Sequence, residues 1–171
     1  MGIRAFTYED GAEFTARVRE SKDLHHPWLF PPTSAEAYAA YAGRLVEDPT
    51  RAGFLVCEKD SGAIAGFINI NNIVEAGFRC GALGYGAFAH AVGRGMMSDG
   101  LGLVMRYAFG AMGLHRLEIN VQPDNERSVA MARRLGFRHE GFTPRMLFLQ
   151  NAWRDHERFA LTAEEWPTPV R

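Results

Sequence analysis

The sequence lacks features that would mark several common classes of protein. It has only two cysteines, Cys57 and Cys80, which form no CxxC pair and lie near no histidine-rich segment. Two buried free thiols in a reducing compartment explain this pattern better than a disulfide or a metal site. No apolar run approaches the ~20 residues that span a bilayer, and the N-terminus carries no signal-peptide core. We therefore expect a cytoplasmic protein with no membrane partner and no metal.

An excess of charge of one sign is also missing. The 19 Lys and Arg residues are matched by 20 Asp and Glu, which gives a net charge of -1. That balance argues against a general nucleic-acid or membrane-surface binder. The chain has 171 residues, 47% of them hydrophobic, which suffices for one sizeable core. We predict a single domain over residues 1–171.

Strand-like and helix-like segments alternate along the first half of the chain. Three prolines between His25 and Pro32 predict an irregular, aromatic-rich loop. Thr33 and Glu36 are spaced as a capping box for a helix that reaches residue 47. The other predicted elements are a strand at 3–8, a helix at 10–20, and a hairpin of strands 54–59 and 63–69 around an Asp-Ser-Gly turn.

The second half continues the alternation. Apolar residues recur at helical spacing from Met97 to Met112, and Gly113 follows as a helix end. Residues 117–121 alternate like a half-buried strand, and a helix at 126–135 is capped by Asp124 or Asn125. Two further strands are predicted at 146–149 and 158–161, with Asn151 in the turn between them. The whole pattern predicts a mixed α/β fold.

A glycine-containing loop separates the strand predicted at 82–88 from the helix near Met97. Its sequence is Val92-Gly93-Arg94-Gly95-Met96-Met97. Glycines allow the backbone to approach an anion closely, and the free N–H groups of a helix start supply donors and positive potential. The alternative is that the glycines only turn the chain and that Arg94 is a solvated surface charge. A Rossmann dehydrogenase would have a third glycine at Ser98, and no lysine follows the glycines as in a P-loop.

Four motifs in this half resemble those of GNAT-fold N-acyltransferases, and taken together most resemble the RimJ/RimL-type ribosomal-protein N-terminal alanine acetyltransferases. They lie at residues 93–95, 125–128, 134–141 and 152–156. The resemblance implies a mostly antiparallel sheet with flanking helices, and acetyl-CoA as co-substrate. It implies that the strand end pairs with the pantetheine arm, that the loop binds the pyrophosphate, and that Asn125 and Ser128 lie near the thioester. The implied acetyl-CoA residues are Gly86, Ala87, Phe88, Val92, Gly93, Arg94, Gly95, Met96, Met97, Asn125 and Ser128.

The chain departs from the family pattern at residues that matter for catalysis. The loop carries Val92 and Met97 where relatives have Gln or Arg and Gly or Ala, but backbone N–H donation survives both changes. The tyrosine that protonates the CoA thiolate in many relatives is Ala132 here, so Ser128 becomes the candidate acid. A glutamate base would align with Asn120, whose amide cannot take a proton. Asn120 acting through a water chain remains a weak candidate.

Other residues have a functional and a structural interpretation. Glu118 and Glu140 are further weak candidates for the base. Asn125 is as readily a helix cap as a ligand, and Ser128 can simply bond to the backbone. His25, His26 and Trp28 either line an acceptor pocket or pack as an aromatic loop. Asp155 and His156 are better explained as residues that hold a C-terminal hairpin together than as a catalytic pair.

The absence of a strong base bears on the acceptor. About a fifth of an α-amine of pKa near 8 is neutral at pH 7.4, against about a thousandth of a lysine amine. We therefore expect direct transfer, in a ternary complex, to the N-terminal amine of a protein such as a ribosomal protein. The alternatives are a small-molecule amine acetyltransferase and a catalytically silent acyl-CoA-binding module. The sequence does not determine the oligomeric state, and a homodimer is compatible with it.

Overall fold

A computed structural model describes residues 1–166, which form one seven-stranded sheet flanked by five helices. The strands are β1 Gly2–Ala5, β2 Ala52–Cys57, β3 Ile64–Val74, β4 Cys80–Ala87, β5 Arg116–Val121, β6 Arg138–Leu149 and β7 Ala152–Thr162. The helices are α1 Gly11–Glu20, α2 Lys22–His25, α3 Ala35–Glu47, α4 Met96–Phe109 and α5 Glu126–Arg134. This architecture confirms the predicted mixed α/β class.

The strands lie in the order β1-β2-β3-β4-β5-β7-β6. Only β4 and β5 are parallel neighbours, and every other neighbouring pair is antiparallel. The connection between the parallel strands includes α4, as a parallel crossover requires. The mostly antiparallel sheet expected from the family resemblance is therefore confirmed.

Hydrophobic cores cover both faces of the sheet. Leu55 and Val56 are consecutive on β2, and they enter opposite cores because side chains alternate along a strand. One core contains Leu101 and Met105 of α4. The other contains Phe14 of α1 and Tyr38 of α3. The sheet is thus held on both sides, and its central strands are fixed in position.

The structure corrects the predicted start of α3. Its N-cap is Ser34, whose hydroxyl accepts from the Ala37 N–H at 3.2 Å, and not Thr33. The Thr33 carbonyl instead accepts from Arg19. The predicted irregular loop also begins one residue too early, because His25 is the last residue of α2 and is buried. The three prolines all follow His25, so they exclude a regular element only after that residue.

Two predicted boundaries are displaced. The first strand ends at Ala5, because a 3-10 turn already begins at Tyr8. Helix α4 ends at Phe109 and not near Met112. In the turn that follows, the Met112 N–H bonds to the Tyr107 carbonyl, and Met112 packs against the core. The apolar helical spacing therefore continues beyond the residue at which the helix ends.

The C-terminal hairpin is much longer than the sequence indicated. Strands β6 and β7 have 12 and 11 residues, whereas only residues 146–149 and 158–161 were predicted. Most of β6 is exposed, so the apolar alternation that reveals a strand is weak there. Asn151 does lie in the turn, as predicted. No helix within residues 1–166 has the length and apolar character to cross a membrane.

Candidate functional site

The site is a cleft that opens where the two parallel strands separate. Pairing between β4 and β5 ends at Leu83 and Ile119, although β4 continues to Ala87 and β5 to Val121. Beyond that point β4 still pairs with β3, and β5 with β7. The result is a cleft of about 1230 Å³ bounded by both strands, the glycine loop, α5 and the β6–β7 hairpin.

Hydrogen bonding fixes which backbone groups of β4 face this cleft. The Phe88 N–H bonds to the Ala65 carbonyl at 2.9 Å, on the β3 side. Since backbone direction alternates along an antiparallel strand, Gly86 also points its N–H and C=O toward β3. Tyr85 and Ala87 then point theirs toward the cleft. Of the predicted residues 86–88, Ala87 is the one whose backbone is directed at the cleft, and Phe88 is fully buried.

The glycine loop, residues 92–97, has the backbone geometry of an anion-binding site, called the anion seat below. Gly93 and Gly95 have φ values of 80° and 74°, a region that other residues rarely adopt, and Gly95 is the N-cap of α4. A Cβ built on either glycine would meet no atom within 4 Å, so the space in front of them is open. Within the described residues, the N–H groups of residues 93–98 have no hydrogen-bond acceptor. These groups fit a pyrophosphate.

The side chains of the loop contribute less than its backbone. Met96 and Met97 are buried in the core, and Val92 is half exposed. Arg94 forms an ion pair with Glu58 at the end of β2. The hydrogen bond from the Ser61 hydroxyl and the pairing with Arg94 lower the pKa of Glu58, so the carboxylate stays charged at neutral pH. The Arg94 guanidinium is therefore paired with Glu58, and the backbone N–H of Arg94 is the group that remains free for a ligand.

Helix α5 brings Ser128 to the cleft. Its N-cap is Asn125, as predicted, and the Asn125 side chain accepts from the Ser128 N–H at 3.2 Å. The Ser128 hydroxyl in turn lies 2.7 Å from the Tyr85 hydroxyl on β4. Burial raises the pKa of Tyr85, against an opposing effect of its bond to Ser128, so Tyr85 stays protonated. The pair offers an uncharged hydroxyl chain beside the strand separation.

Tyr85 was missed by the sequence interpretation. It is separated from Ser128 by 43 residues, and no local motif relates the two. An aromatic residue on a strand is ordinarily a packing residue. The only available signal was that Tyr85 adjoins Gly86 at the predicted strand end.

The candidates for a base on β5 and β6 differ in their surroundings. Asn120 lines the cleft, and its Oδ1 is buried without a hydrogen-bond partner in the described residues. Glu118 also lines the cleft, but Arg116 bonds to it at 2.9 Å. Glu140 is bound by Arg116 and Arg138, which lowers its pKa to about 2. A carboxylate of such low pKa is a poor proton acceptor.

The loop after α2 covers one end of the cleft. His25 Nε2 donates to the Ala87 carbonyl at 2.8 Å, so it holds the end of β4 in place. Burial lowers the pKa of His25. Leu29 lies over Gly86, where a Cβ would come within 2.9 Å of its side chain. His26 and Trp28 line the cleft as well.

Asp155 and His156 have separate surroundings although they are adjacent. The Asp155 carboxylate accepts from the Arg145 N–H at 2.7 Å, which closes an irregular stretch of β6. This is the hairpin contact expected for Asp155. His156 is buried, lines the cleft, and bonds through Nδ1 to the Arg154 carbonyl at 2.9 Å. In the described part of the chain, no three His, Cys, Asp or Glu side chains are grouped as metal ligands.

Comparison with known proteins agrees with this geometry. The family model described as "Acetyltransferase (GNAT) domain" matches residues 1–138. The chain is 36% identical over 118 residues to the [Ribosomal protein uS5]-alanine N-acetyltransferase of Escherichia coli (strain K12). That match covers 69% of this chain and 60% of the relative, so it spans less than two thirds of that protein.

Two solved structures have the same fold. Mycobacterium smegmatis RimJ, solved in complex with CoA-disulfide, has a TM-score of 0.87 and 27% identity, over 98% of this chain and 84% of that one. A ribosomal-protein-S5-alanine acetyltransferase from Vibrio fischeri has a TM-score of 0.84 and 24% identity, over 97% of this chain and 94% of that one. With the family model matching most of the chain, these findings show that the chain belongs to the GNAT acetyltransferase family.

Proposed function

We propose that this protein transfers the acetyl group of acetyl-CoA directly to a primary amine, and that the amine is the N-terminal α-amine of a protein such as a ribosomal protein. The observation that carries the proposal is the separation of β4 from β5 beside an open anion seat. The relatives that act on ribosomal proteins support the choice of acceptor. We propose further that residues 1–171 act as one domain.

The cleft has room for two reactants. Its volume of about 1230 Å³ exceeds the ~300–1000 Å³ of a typical single-ligand pocket. The N–H groups of residues 93–98 would hold the pyrophosphate, and the Ala87 N–H would bond to the pantetheine arm. The bound co-substrate supplies the activated acetyl thioester. The chain itself aligns the amine with that thioester, which can supply much of the rate.

Ser128 is positioned to donate the proton that the departing thiolate needs. A hydroxyl both donates and accepts, so Ser128 can pass on its proton and recover one from Tyr85 across 2.7 Å. The Tyr85 N–H, which points into the cleft just beyond the last β4–β5 pair, can stabilise the oxyanion during transfer. No charged residue needs to be buried for this arrangement.

Neither cysteine is placed to carry the acetyl group. Cys57 is buried, and burial raises the pKa of its thiol, which disfavours the reactive thiolate. Cys80 lines the cleft at the start of β4, five residues before Tyr85, or roughly 16 Å along a strand. Replacing both with Ala should leave the steady-state rate within about twofold, because a direct transfer uses no protein-bound intermediate. An inactive but folded, acetyl-CoA-binding double variant would contradict direct transfer.

The proposal is tested by following CoA release with peptides that begin with Ala, Ser or Met, and with free amino acids and polyamines. We expect turnover on an Ala or Ser peptide, and its loss when the peptide N-terminus is blocked. Turnover on a free amine alone would establish the small-molecule alternative. Tight acetyl-CoA binding without turnover on any acceptor would favour a silent binding module.

A further inference from the structure

His156 is held in one tautomer at the wall of the cleft. Its Nδ1 lies 2.9 Å from the Arg154 carbonyl, and a carbonyl oxygen can only accept, so Nδ1 carries the hydrogen. The Nε2 atom then has a free lone pair. It has no hydrogen-bond partner within residues 1–166, and it is not fully enclosed by protein. His156 is buried and lines the cleft, so the cleft is the open space that this basic nitrogen can reach.

The sheet register places His156 on the same face of the sheet as Asn120, beside the gap between β4 and β5. Asn120 on β5 is the cross-strand partner of Arg158 on β7, and such partners point to the same face. His156 is two residues before Arg158, so it shares that face. Leu83 of β4 and Ile119 of β5 share the opposite face, on which the Tyr85 hydroxyl meets Ser128. A thioester in the gap between β4 and β5 would therefore have Ser128 on one side and His156 on the other, where the amine can approach.

The charges around His156 leave it neutral at pH 7. Burial lowers its pKa below the usual value, while the Arg154 carbonyl and the nearby Asp155 carboxylate act in the opposite direction. Asp155 is occupied by the Arg145 N–H. The other charged residues that line the cleft are Asp23, Glu118, Asp124, Glu126, Arg127 and Arg134.

We propose that His156 Nε2 is the base that removes the proton from the acceptor amine, an inference that rests on the acetyl transfer proposed above. The amine nitrogen bonds to the acetyl carbonyl carbon, and its surplus proton moves to Nε2. The C–S bond breaks with its electron pair on sulfur, and the sulfur takes a proton from Ser128. His156 then returns its proton to solvent through the cleft. Ser128 recovers a proton from Tyr85, which also lines the cleft and takes one from solvent in turn.

This assignment also selects among amines. An amine must be neutral before it attacks, and an α-ammonium of pKa near 8 gives up its proton more readily than a lysine ammonium of pKa ~10.4. For any one base, the two proton transfers differ in equilibrium constant by roughly 250-fold. A weak neutral base thus favours protein N-termini over lysine side chains and aliphatic polyamines.

The test compares His156→Asn with the matched variant His139→Asn. An Asn side chain at position 156 can still donate to the Arg154 carbonyl, as Nδ1 does, but it has no basic nitrogen. His139 lies on β6, where it pairs with Glu157 and does not line the cleft. Circular dichroism and thermal melting establish that both variants are folded before any rate is compared.

We expect His156→Asn to lower kcat by about 10²-fold on an Ala peptide, with acetyl-CoA affinity unchanged within about twofold. The wild-type kcat should fall on the acid side with a midpoint below pH 6.5, because His156 must be neutral, and the variant should lack this limb. His139→Asn should keep both the rate and the limb. A His156→Asn variant with wild-type kcat and pH profile would overturn the role of His156 and leave the acetyl transfer standing.

A second readout does not depend on turnover. Nitrogen-15 NMR of protein labelled at its six histidines reports which ring nitrogen carries hydrogen, and the signal lost in His156→Asn identifies His156. We expect a neutral ring with hydrogen on Nδ1 at pH 7. Hydrogen on Nε2, or a charged ring, would overturn the proposal whether or not the enzyme is active. A wild-type protein that acetylates no amine would instead overturn the proposed function, and the base role with it.

Discussion

At the scale of single residues, mutations of the Tyr85–Ser128 hydroxyl pair test whether it protonates the leaving thiolate. Ser128→Ala removes the hydroxyl that would protonate the leaving thiolate, so we expect kcat to fall by about 10²-fold while acetyl-CoA affinity changes little. Tyr85→Phe keeps the ring packed and removes only the partner hydroxyl, so the loss should be smaller. Stopped-flow or steady-state CoA release measures kcat, and calorimetry measures the affinity for acetyl-CoA.

The double variant distinguishes a proton chain from two independent effects. If Tyr85 acts through Ser128, removing its hydroxyl after Ser128 is already Ala should cost almost nothing more. If the two single-variant reductions in kcat multiply in the double variant, Tyr85 and Ser128 act independently. An unchanged kcat in Ser128→Ala would remove Ser128 from the acid role.

At the scale of an element, two glycines of α4 should respond to alanine in opposite ways. Gly95 is the N-cap with φ at 74°, so Gly95→Ala forces a side chain into a left-handed conformation and should destabilise the fold by about 1 kcal/mol. The same change distorts the anion seat and should weaken acetyl-CoA binding about tenfold or more. Urea titration and calorimetry measure the two effects.

Gly102 is the matched control in the same helix. It lies in the interior of α4, and a Cβ there would meet no atom within 4 Å. Gly102→Ala should therefore stabilise the fold by about 0.5–1 kcal/mol and leave acetyl-CoA binding unchanged. Equal loss of binding in both variants would show that the backbone geometry at Gly95 is not what the ligand uses.

At the scale of the whole molecule, ion pairs join β5 to β6 and β6 to the turn after β7. Arg116 and Arg138 both bind Glu140, and Arg138 also pairs with Glu165. These partners lower the pKa of Glu140 to about 2 in the folded protein, below its ordinary value near 4.5. The stabilisation is present above pH 4.5 and is lost as the pH falls from there toward 2. We expect thermal stability to decline over that window.

Glu140→Gln tests the source of this decline. The variant should be less stable than the wild type at pH 6, and the difference should shrink toward pH 2, where about half of the wild-type carboxylate is itself protonated. Melting temperatures measured at half-unit pH steps give the comparison. A constant difference across the window would place the acid sensitivity in other carboxylates.

Much of the local structure followed from the sequence. Helical spacing located α4 and the cap residues located α5 to within a few residues, and the Gly62 turn located the β2–β3 hairpin. Where the predictions were wrong, contacts with other segments of the chain determined the local structure. Ser34 caps α3 in place of Thr33, whose carbonyl is taken by Arg19. The apolar residues of the exposed strand β6 do not alternate regularly with polar ones, so it is a strand because β7 pairs with it.

The sequence by itself determined the α/β class, the position of the glycine loop and the placement of Asn125 and Ser128 at a helix start, because each depends on residues close together in the chain. Only the tertiary structure decided that β7 lies between β5 and β6, that Tyr85 meets Ser128, and that His156 opens into the cleft while Asp155 does not. These contacts join residues far apart in sequence. They form because sheet pairing and core burial fix the strands, and no local pattern records which strands become neighbours.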